Sequence, residues 1–350
     1  MPPAKVVVPA AELKGFVTDL FARVGVRAEH AATLADVLTW ASLRGVDSHG
    51  ATRVPRYLEM FDSGVANRDP DVRIVSDAPA AAVLDADRAP GPVALTAAAD
   101  EAVKRARAAG IGAVGVRTTV HTGAIGYYTS RIAEAGLVGV AFVAGMPNMG
   151  YTGVKGAAVA TSPLSIAVPA AGRPPALLDM ATAQIALGKI AQYRNAGKEL
   201  PEGTAATADG VPTTDPAVAT MPLPLGGAKG AGMSLMFELI TSVLLGAPVL
   251  SSFHGDDPDG RRHRQNALII ALDPAHFGGD GFAAAAAATL DTVKGLPRAD
   301  EDTEIVYPGE RSAATAETRA AKGVPVSAKV WGELRAAADE LGVAPPEPVA

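Results

Sequence analysis

Two hydrophobic periods divide this chain, and the order in which they come limits what it can fold into. Up to residue 61 the apolar side chains recur at helical spacing. Leu13, Phe16, Val17, Leu20 and Phe21 share one face of a predicted helix over 11–23, and Leu34, Val37, Leu38 and Leu43 mark a second over 28–43. The segment Gly45-Val46-Asp47-Ser48-His49-Gly50 breaks this pattern, and a third helix is predicted over 53–61. From about Val72 the texture switches: short β-like runs (81–85, 113–117, 137–143, 164–169) alternate with helical ones (91–110, 124–136). Strands separated by helices predict an α/β sheet. A Gly/Pro-punctuated loop over 199–225 follows, then an apolar buried helix over 230–245, a strong late strand over 266–273, and helices over 282–294 and 326–341. The tail from Pro345 reads as frayed, and no internal repeat is visible. At 350 residues the chain is longer than one compact core usually holds, so two interlocked domains are expected.

Several function classes drop out on composition. Lys plus Arg number 31 against 37 Asp plus Glu, a net charge of -6, and no dense basic run suggests a nucleic-acid partner. The one basic cluster, Arg261, Arg262, His263 and Arg264, follows Asp256, Asp257 and Asp259 and reads as a solvated, self-neutralising loop. There is no cysteine, which removes disulfides, thiolate zinc sites and cysteine nucleophiles together. No secretory signal is visible at the start, and the longest apolar run, 137–144, is far short of the roughly 20 residues that span a bilayer. The expectation is a soluble cytoplasmic protein without a membrane partner.

Gly110-Ile111-Gly112-Ala113-Val114-Gly115 matches the dinucleotide fingerprint letter for letter. That fingerprint works only when a strand enters the glycines and a helix leaves them. Here the order is reversed, because a helix over 97–109 enters and a strand over 113–117 leaves. Gly110 is better explained as the left-handed residue that ends a helix. Gly226-Gly227-Ala228-Lys229-Gly230-Ala231-Gly232 has the correct polarity, since it opens into the 230–245 helix. Free amides at a helix start, with Lys229, would suit a phosphate; a flexible turn with a solvated lysine fits the local sequence as well.

Two of the six histidines stand in unusual settings. His49 sits at the break between helices, with Arg53 and Tyr57 one and two helical turns on, hence on one face. An arginine fork there could hold a carboxylate in bidentate fashion. By itself, His49 reads as a hydrogen-bonded turn histidine. His121 follows the strand ending at Arg117 and precedes Thr122-Gly123-Ala124-Ile125-Gly126-Tyr127, at the strand end where α/β proteins meet their ligands. Acid/base work and a structural role are both open for it on local grounds. His30, His254, His263 and His276 lie on a helix or in polar loops without comparable context. No pair has metal-ligand spacing, so no metal is expected. Asp179 interrupts an apolar run in Leu177-Leu178-Asp179-Met180-Ala181-Thr182, where it could orient a histidine, bind a cofactor or cap the helix to follow.

Taken in register, these segments resemble the malate/L-lactate/ureidoglycolate dehydrogenase family, which includes sulfolactate dehydrogenases and Δ1-piperideine-2-carboxylate reductases. The carriers are Arg44 to Gly50 with Arg53 and Tyr57; His121 with Gly123, Gly126 and Tyr127; Leu178 to Thr182; Gly188-Lys189-Ile190; Pro212-Thr213-Thr214-Asp215-Pro216; Leu225 to Gly230; and Pro308-Gly309-Glu310. They extend over nearly the whole chain, from about Leu13 to Leu341. The resemblance implies hydride transfer between NAD(P)H and a 2-oxo acid or its 2-hydroxy acid. It implies a non-Rossmann α/β fold: a helical N-terminal segment, a mixed-sheet cofactor domain, and a C-terminus folding back on the N-terminal domain. The boundaries expected are 1–75 with 260–350 for substrate and dimerisation, and 76–259 for NAD or NADP. A homodimer is implied as well. Carried over by position, His121 becomes the proton donor and acceptor, assisted by Ser48 and His49, with Arg53 and Tyr57 on the substrate carboxylate. Asp179, Met180, Ala181, Lys229, Gly230, Pro308, Gly309 and Glu310 become the cofactor set. The chain departs from the family at Thr122, where an aromatic is common, at Ala228, where a histidine is frequent, and at Gly145, where many members carry a polar side chain. Thr122 would widen the substrate pocket. Reduction of a cyclic or N-alkyl imine is the alternative within the family, since C=N and C=O need the same histidine and arginine. A nucleotide-binding relative without turnover is the alternative outside it.

Overall fold

The computed structural model describes residues 5–349. The chain opens with strand β1 (Lys5–Val8) and helices α1 (Ala10–Arg23), α2 (Ala28–Leu43) and α3 (Val54–Asp62), with two short 3-10 turns across 47–53 at the expected break. Next come β2 (Arg73–Ala78), β3 (Ala81–Asp85), α4 (Gly91–Ala109), β4 (Ile111–Thr119), α5 (Gly126–Glu134), β5 (Val138–Gly145), β6 (Leu164–Val168) and β7 (Ala176–Met180). Helix α6 (Leu187–Ala196) precedes the region read as a loop, and within that region the short strands β8 (Ala205–Ala206), β9 (Pro212–Thr213) and β10 (Met221–Pro222) form their own small sheet. Helix α7 (Ala228–Glu238) runs into a π-turn over Leu239–Val243 and is followed by α8 (Leu250–His254), β11 (Gln265–Leu272), α9 (Phe282–Lys294), α10 (Glu310–Lys322), β12 (Val324–Ser327) and α11 (Ala328–Leu341).

The main sheet has seven strands in the order β2-β3-β4-β11-β5-β6-β7. Only β3 and β4 pair in parallel, joined by α4 as crossover; every other pairing is antiparallel. A doubly wound dinucleotide fold would need a run of parallel strands, so the sheet is mixed, as the resemblance implied. Strand β11 sits at its centre although it lies beyond residue 260 in sequence. Its Ala267, Ile269 and Ala271 are fully buried. Glycines in β4 allow both faces to be covered closely. A Cβ on Gly112 would sit 2.1 Å from the Ala102 carbonyl of α4, and one on Gly115 would sit 2.3 Å from Leu245. Three positions apart in a strand, the two face opposite sides.

Gly110 has φ 82 and donates its amide to the Ala106 carbonyl at 2.8 Å, ending α4 before β4 begins. The fingerprint-like glycines are therefore a helix stop followed by two packing positions. The C-terminal part returns to the start of the chain. Strand β12 pairs antiparallel with β1, and Trp331 of α11 packs on Phe16 of α1 with ring centroids 6.1 Å apart. Among the described residues no helix is long and apolar enough to cross a membrane.

Candidate active site

The loop carrying His121 is aimed by a bulge at the end of β4. Pairing with β11 slips between Gln265 and Ala267, and Thr118 takes φ 60, a left-handed conformation that a β-branched residue adopts only under constraint. Three bonds hold it there. The Thr118 amide donates to Asn266 Oδ1 at 2.9 Å, the Thr118 carbonyl accepts from the Arg88 amide at 2.8 Å, and Thr119 Oγ1 donates to the Ala89 carbonyl at 2.8 Å. The fully buried Asn266 is in turn fixed through Nδ2 to the Ala247 carbonyl (2.7 Å) and Ser242 Oγ (3.1 Å). Past the bulge, the His121 carbonyl accepts from the Gly91 amide at 3.1 Å. Position 91 must be glycine: a Cβ there would come within 2.3 Å of Thr122 Cα.

The Tyr57 hydroxyl, completely buried on α3, lies 2.9 Å from both the His121 carbonyl and His121 Nδ1. It has one hydrogen, and a carbonyl can only accept, so the hydroxyl donates to the carbonyl and Nδ1–H donates to the hydroxyl oxygen. This fixes the tautomer and leaves Nε2 as a free base. The His49 ring lies nearly parallel to that of His121, 5.8 Å between centroids and 17° between planes, and Ser48 Oγ is 3.0 Å from His49 Nδ1. Arg53 donates through Nε to the Ser48 carbonyl at 2.6 Å, and among the described residues its terminal nitrogens form no ion pair. Ser48, His49, Arg53, Tyr57 and His121 thus meet in one cleft. Tyr57, expected on the substrate carboxylate, has its hydroxyl committed to His121.

The charged groups that act on His121 among the described residues are the guanidinium groups of Arg53 and Arg56. Burial, then Arg53, His49, His263 and Arg56, hold His121 well below the usual histidine range, while burial and Arg53 bring His49 down to about 4. Burial pushes the Tyr57 phenol up. His263 was read as a residue of a solvated loop; the structure instead places it among the cleft groups, and burial with Arg56 lowers it as well. The loop expectation holds for its neighbours, since Arg264 Nη1 donates to the Asp259 carbonyl and Arg261 lies over the Phe253 ring. His263 stands two residues before Gln265, the first residue of β11, and Gln265 Oε1 accepts from the Thr122 amide at 2.9 Å. An alternating pattern entering a strand was the available signal.

The proposed cofactor residues gather around β7. The Leu177 amide donates to the Pro308 carbonyl at 2.9 Å, and a Cβ on Gly309 would meet Leu177 at 2.8 Å. Thr182, just past Met180 and Ala181, accepts from the Leu225 amide at 2.8 Å, and a Cβ on Gly230 would lie 2.5 Å from the Thr182 carbonyl. Asp179 bridges to the histidine side. Its Oδ2 accepts the Gly126 amide at 2.8 Å, at the start of α5. Its side chain keeps contact with solvent, yet the protein packed around it pushes its carboxyl up to about 6 against the pull of the Gly126 amide and Arg44. Glu310 is tied to Lys294 and accepts from the Tyr307 amide at 3.3 Å. The helix start at Lys229 offers fewer free amides than expected, because Gly230 N donates to the Leu225 carbonyl at 2.7 Å. The Lys229 side chain is exposed, with no ion pair among the described residues. At Gly145 the space of a side chain is already filled: a Cβ would lie 2.9 Å from Gln265 Cγ.

A neutral imidazole and an arginine with free terminal nitrogens, set beside a non-Rossmann mixed sheet, suit acid/base work next to a bound anion. The chain belongs to the malate/L-lactate dehydrogenase family, whose model matches residues 8–335. It is 33% identical over 316 residues to the ureidoglycolate dehydrogenase (NAD(+)) of Escherichia coli strain K12, covering 89% of this chain and 90% of that protein. The sulfolactate dehydrogenase structure from Methanocaldococcus jannaschii superposes with a TM-score of 0.88 at 34% identity, over 96% of this chain and 98% of that one. The Δ1-piperideine-2-carboxylate reductase structure from Pseudomonas syringae pvar. tomato gives 0.84 at 27% identity, over 95% and 99%.

Proposed function

We propose that this cleft interconverts a 2-oxo acid and its 2-hydroxy acid with NAD or NADP, and that His121 Nε2 carries the proton. The observation that carries this reading is the Tyr57 clamp on His121 (2.9 Å), which leaves a neutral imidazole with Nε2 as its base, near His49 and an arginine with free terminal nitrogens. The cofactor corner fits an anionic, acceptor-rich molecule: Lys229 is free, and Thr182 Oγ1 is buried without a partner beside Met180 and Ala181. Asp179, Met180, Ala181, Lys229, Gly230, Pro308, Gly309 and Glu310 would hold it, Glu310 by fixing the turn. When bound, the nicotinamide supplies or accepts the hydride at the 2-carbon. Arg53 takes the carboxylate through both terminal nitrogens and orients that carbon. His121 Nε2 accepts the hydroxyl proton in oxidation and returns it in reduction, with Ser48 and His49 completing the polar wall. The guanidinium and the imidazolium stabilise negative charge building on the oxygen.

A division into a cofactor unit built on the main sheet and a substrate unit of the N- and C-terminal helices is part of this reading, with β11 crossing from the second part of the sequence into the first unit. So is a homodimer. Met236, Leu239, Val243 and Leu244 form an exposed apolar strip at helical spacing along α7 and its π-turn, 42–67% accessible, which a second copy would cover.

The test follows loss of NADH, then NADPH, absorbance with 2-oxo acids alone, with 2-oxo acids plus ammonia or methylamine, and with cyclic imino acids. Turnover of 2-oxo acids alone is expected. Turnover only with amine or imine present would move the chain to C=N reduction and overturn the substrate assignment.

A further inference from the structure

One face of α10 lies along the segment that leads into Ser48 and His49. Ser312, Thr315 and Arg319 have the spacing of a single helical stripe, and they meet Arg44, Gly45 and Asp47 in turn. Ser312 Oγ donates to the Gly309 carbonyl at 2.9 Å and accepts from Arg44 Nη2 at 2.8 Å, which ties Arg44 to the turn assigned to the cofactor. Gly45 has φ 79, and a Cβ on it would lie 3.3 Å from Thr315 Cγ2. Near the other end of α10, Arg319 presents its fork to Asp47. Nη1 donates to Oδ1 and to the Ser42 carbonyl, and Nη2 donates to Oδ2 at 3.3 Å. Ser42 and Asp47 frame the substrate turn: Ser42 Oγ accepts the Ala51 amide at 2.9 Å, the Asp47 carbonyl accepts the Gly50 amide at 3.2 Å, and the His49 amide donates to the Val46 carbonyl at 2.9 Å. The Asp47 side chain is 49% accessible, so the ion pair adds little to stability, whereas a planar two-pronged contact fixes distance and angle together. The fork therefore governs where the turn sits more than whether the chain folds.

We propose that α10 is a brace between the cofactor turn and the substrate turn. Arg319 is its positioning residue for Ser48 and His49, acting through Asp47, and Arg44 is the counterpart that holds the Gly309 turn. This rests on the roles given to those two turns above. Without the fork, Asp47 and the residues that follow it are free to move relative to α10, and the polar wall beside His121 loses its placement. Misplacement of that kind costs rate. The two arginines thus divide the work: Arg319 acts on turnover, Arg44 on cofactor affinity.

The test compares the full chain with Arg319→Met, Arg319→Lys, Asp47→Ala, the Arg319→Met/Asp47→Ala double and Arg44→Met. Three quantities are read: kcat and KM on the 2-oxo acid that wild type reduces best, NADH Kd by fluorescence titration, and amide deuterium exchange by mass spectrometry. Arg319→Met should lower kcat about tenfold with NADH Kd unchanged, and Arg319→Lys, which keeps the charge but not the fork, should recover part of the loss. In the double variant the two losses should not multiply, because both act through one contact. Arg44→Met should weaken NADH about tenfold. Exchange in Arg319→Met should quicken across 47–53 and stay as in wild type elsewhere. Asp47→Ala removes the half-exposed end of the pair and carries the test if Arg319→Met does not fold. An unchanged kcat, losses that multiply, or exchange that quickens throughout the chain would overturn the proposal. If wild type reduces no 2-oxo acid but exchange quickens only across 47–53, the brace stands and the 2-oxo acid reading falls; unchanged exchange there removes the brace whatever the turnover.

Discussion

His121 depends on groups supplied by three parts of the chain: Tyr57 from α3, Gly91 from the start of α4, and Asn266 from β11. Replacing His121 by Asn should lower kcat/KM by about 10²–10⁴-fold, the range for a lost general acid/base. Tyr57→Phe removes only the hydroxyl, which frees the tautomer and the ring angle; a loss of about 10²-fold in kcat, with KM little changed, is expected from misplacement alone. The pH profile follows from the sign of the His121 shift. Lowered well below 6.5, the ring is neutral at pH 7 in the free protein. Oxidation of the hydroxy acid, which needs the base, should therefore keep its kcat/KM from alkaline pH down past 6.5, while reduction, which needs the imidazolium, should rise as pH falls. A reduction rate that climbs with pH would contradict this assignment. Asp179 shifts the other way. Its carboxyl is raised from 3.8 to about 6, so the folded chain holds a proton that the unfolded chain has lost between those values, and stability due to this group grows as pH falls through 6. Asp179→Asn can still accept the Gly126 amide and should raise Tm at pH 8, by an amount that shrinks below pH 6, while weakening cofactor binding.

Among the secondary-structure elements, β11 does the most to assemble the site. It enters the sheet late, separates β4 from β5, and brings Gln265 and Asn266 to the end of β4 where the bulge lies. Asn266→Leu would strip three hydrogen bonds from a buried position and release the Thr118 turn, costing about 2–4 kcal/mol and much of the activity, as denaturant unfolding and turnover would show. The apolar run of β11 was legible as a strand, and so was the helix-then-strand polarity around Gly110. The neighbours of β11 were not legible, because strand order depends on pairing across more than a hundred residues that no local period encodes. The helix over 230–245 was legible as apolar, but its π-turn at Leu239–Val243 was not, since one extra residue per turn leaves the pattern almost intact.

At the level of the whole molecule, the last strand and helix close over the first. Val8 and Leu334 are fully buried there, and Trp331 is 7% exposed against Phe16. Trp331→Ala should destabilise the chain by about 3–5 kcal/mol, the usual loss for a large buried aromatic, with the active-site residues untouched in sequence. The apolar strip at Leu244, 67% exposed, makes its own prediction: Leu244→Glu should yield a monomer by light scattering, and an unchanged mass would remove the dimer assignment from that face. The sequence by itself determined the α/β class, the stop at Gly110 and the lack of any thiol, because period, glycine placement and residue chemistry are local properties; it singled out His49, Arg53, His121 and Asp179, but their roles came from the family resemblance. Only the tertiary structure decided that Tyr57 serves His121, that His263 borders the cleft, and that Gln265 fills the space beside Gly145. Those are contacts between elements far apart in the chain, and burial, tautomer and charge environment exist only once those elements have packed.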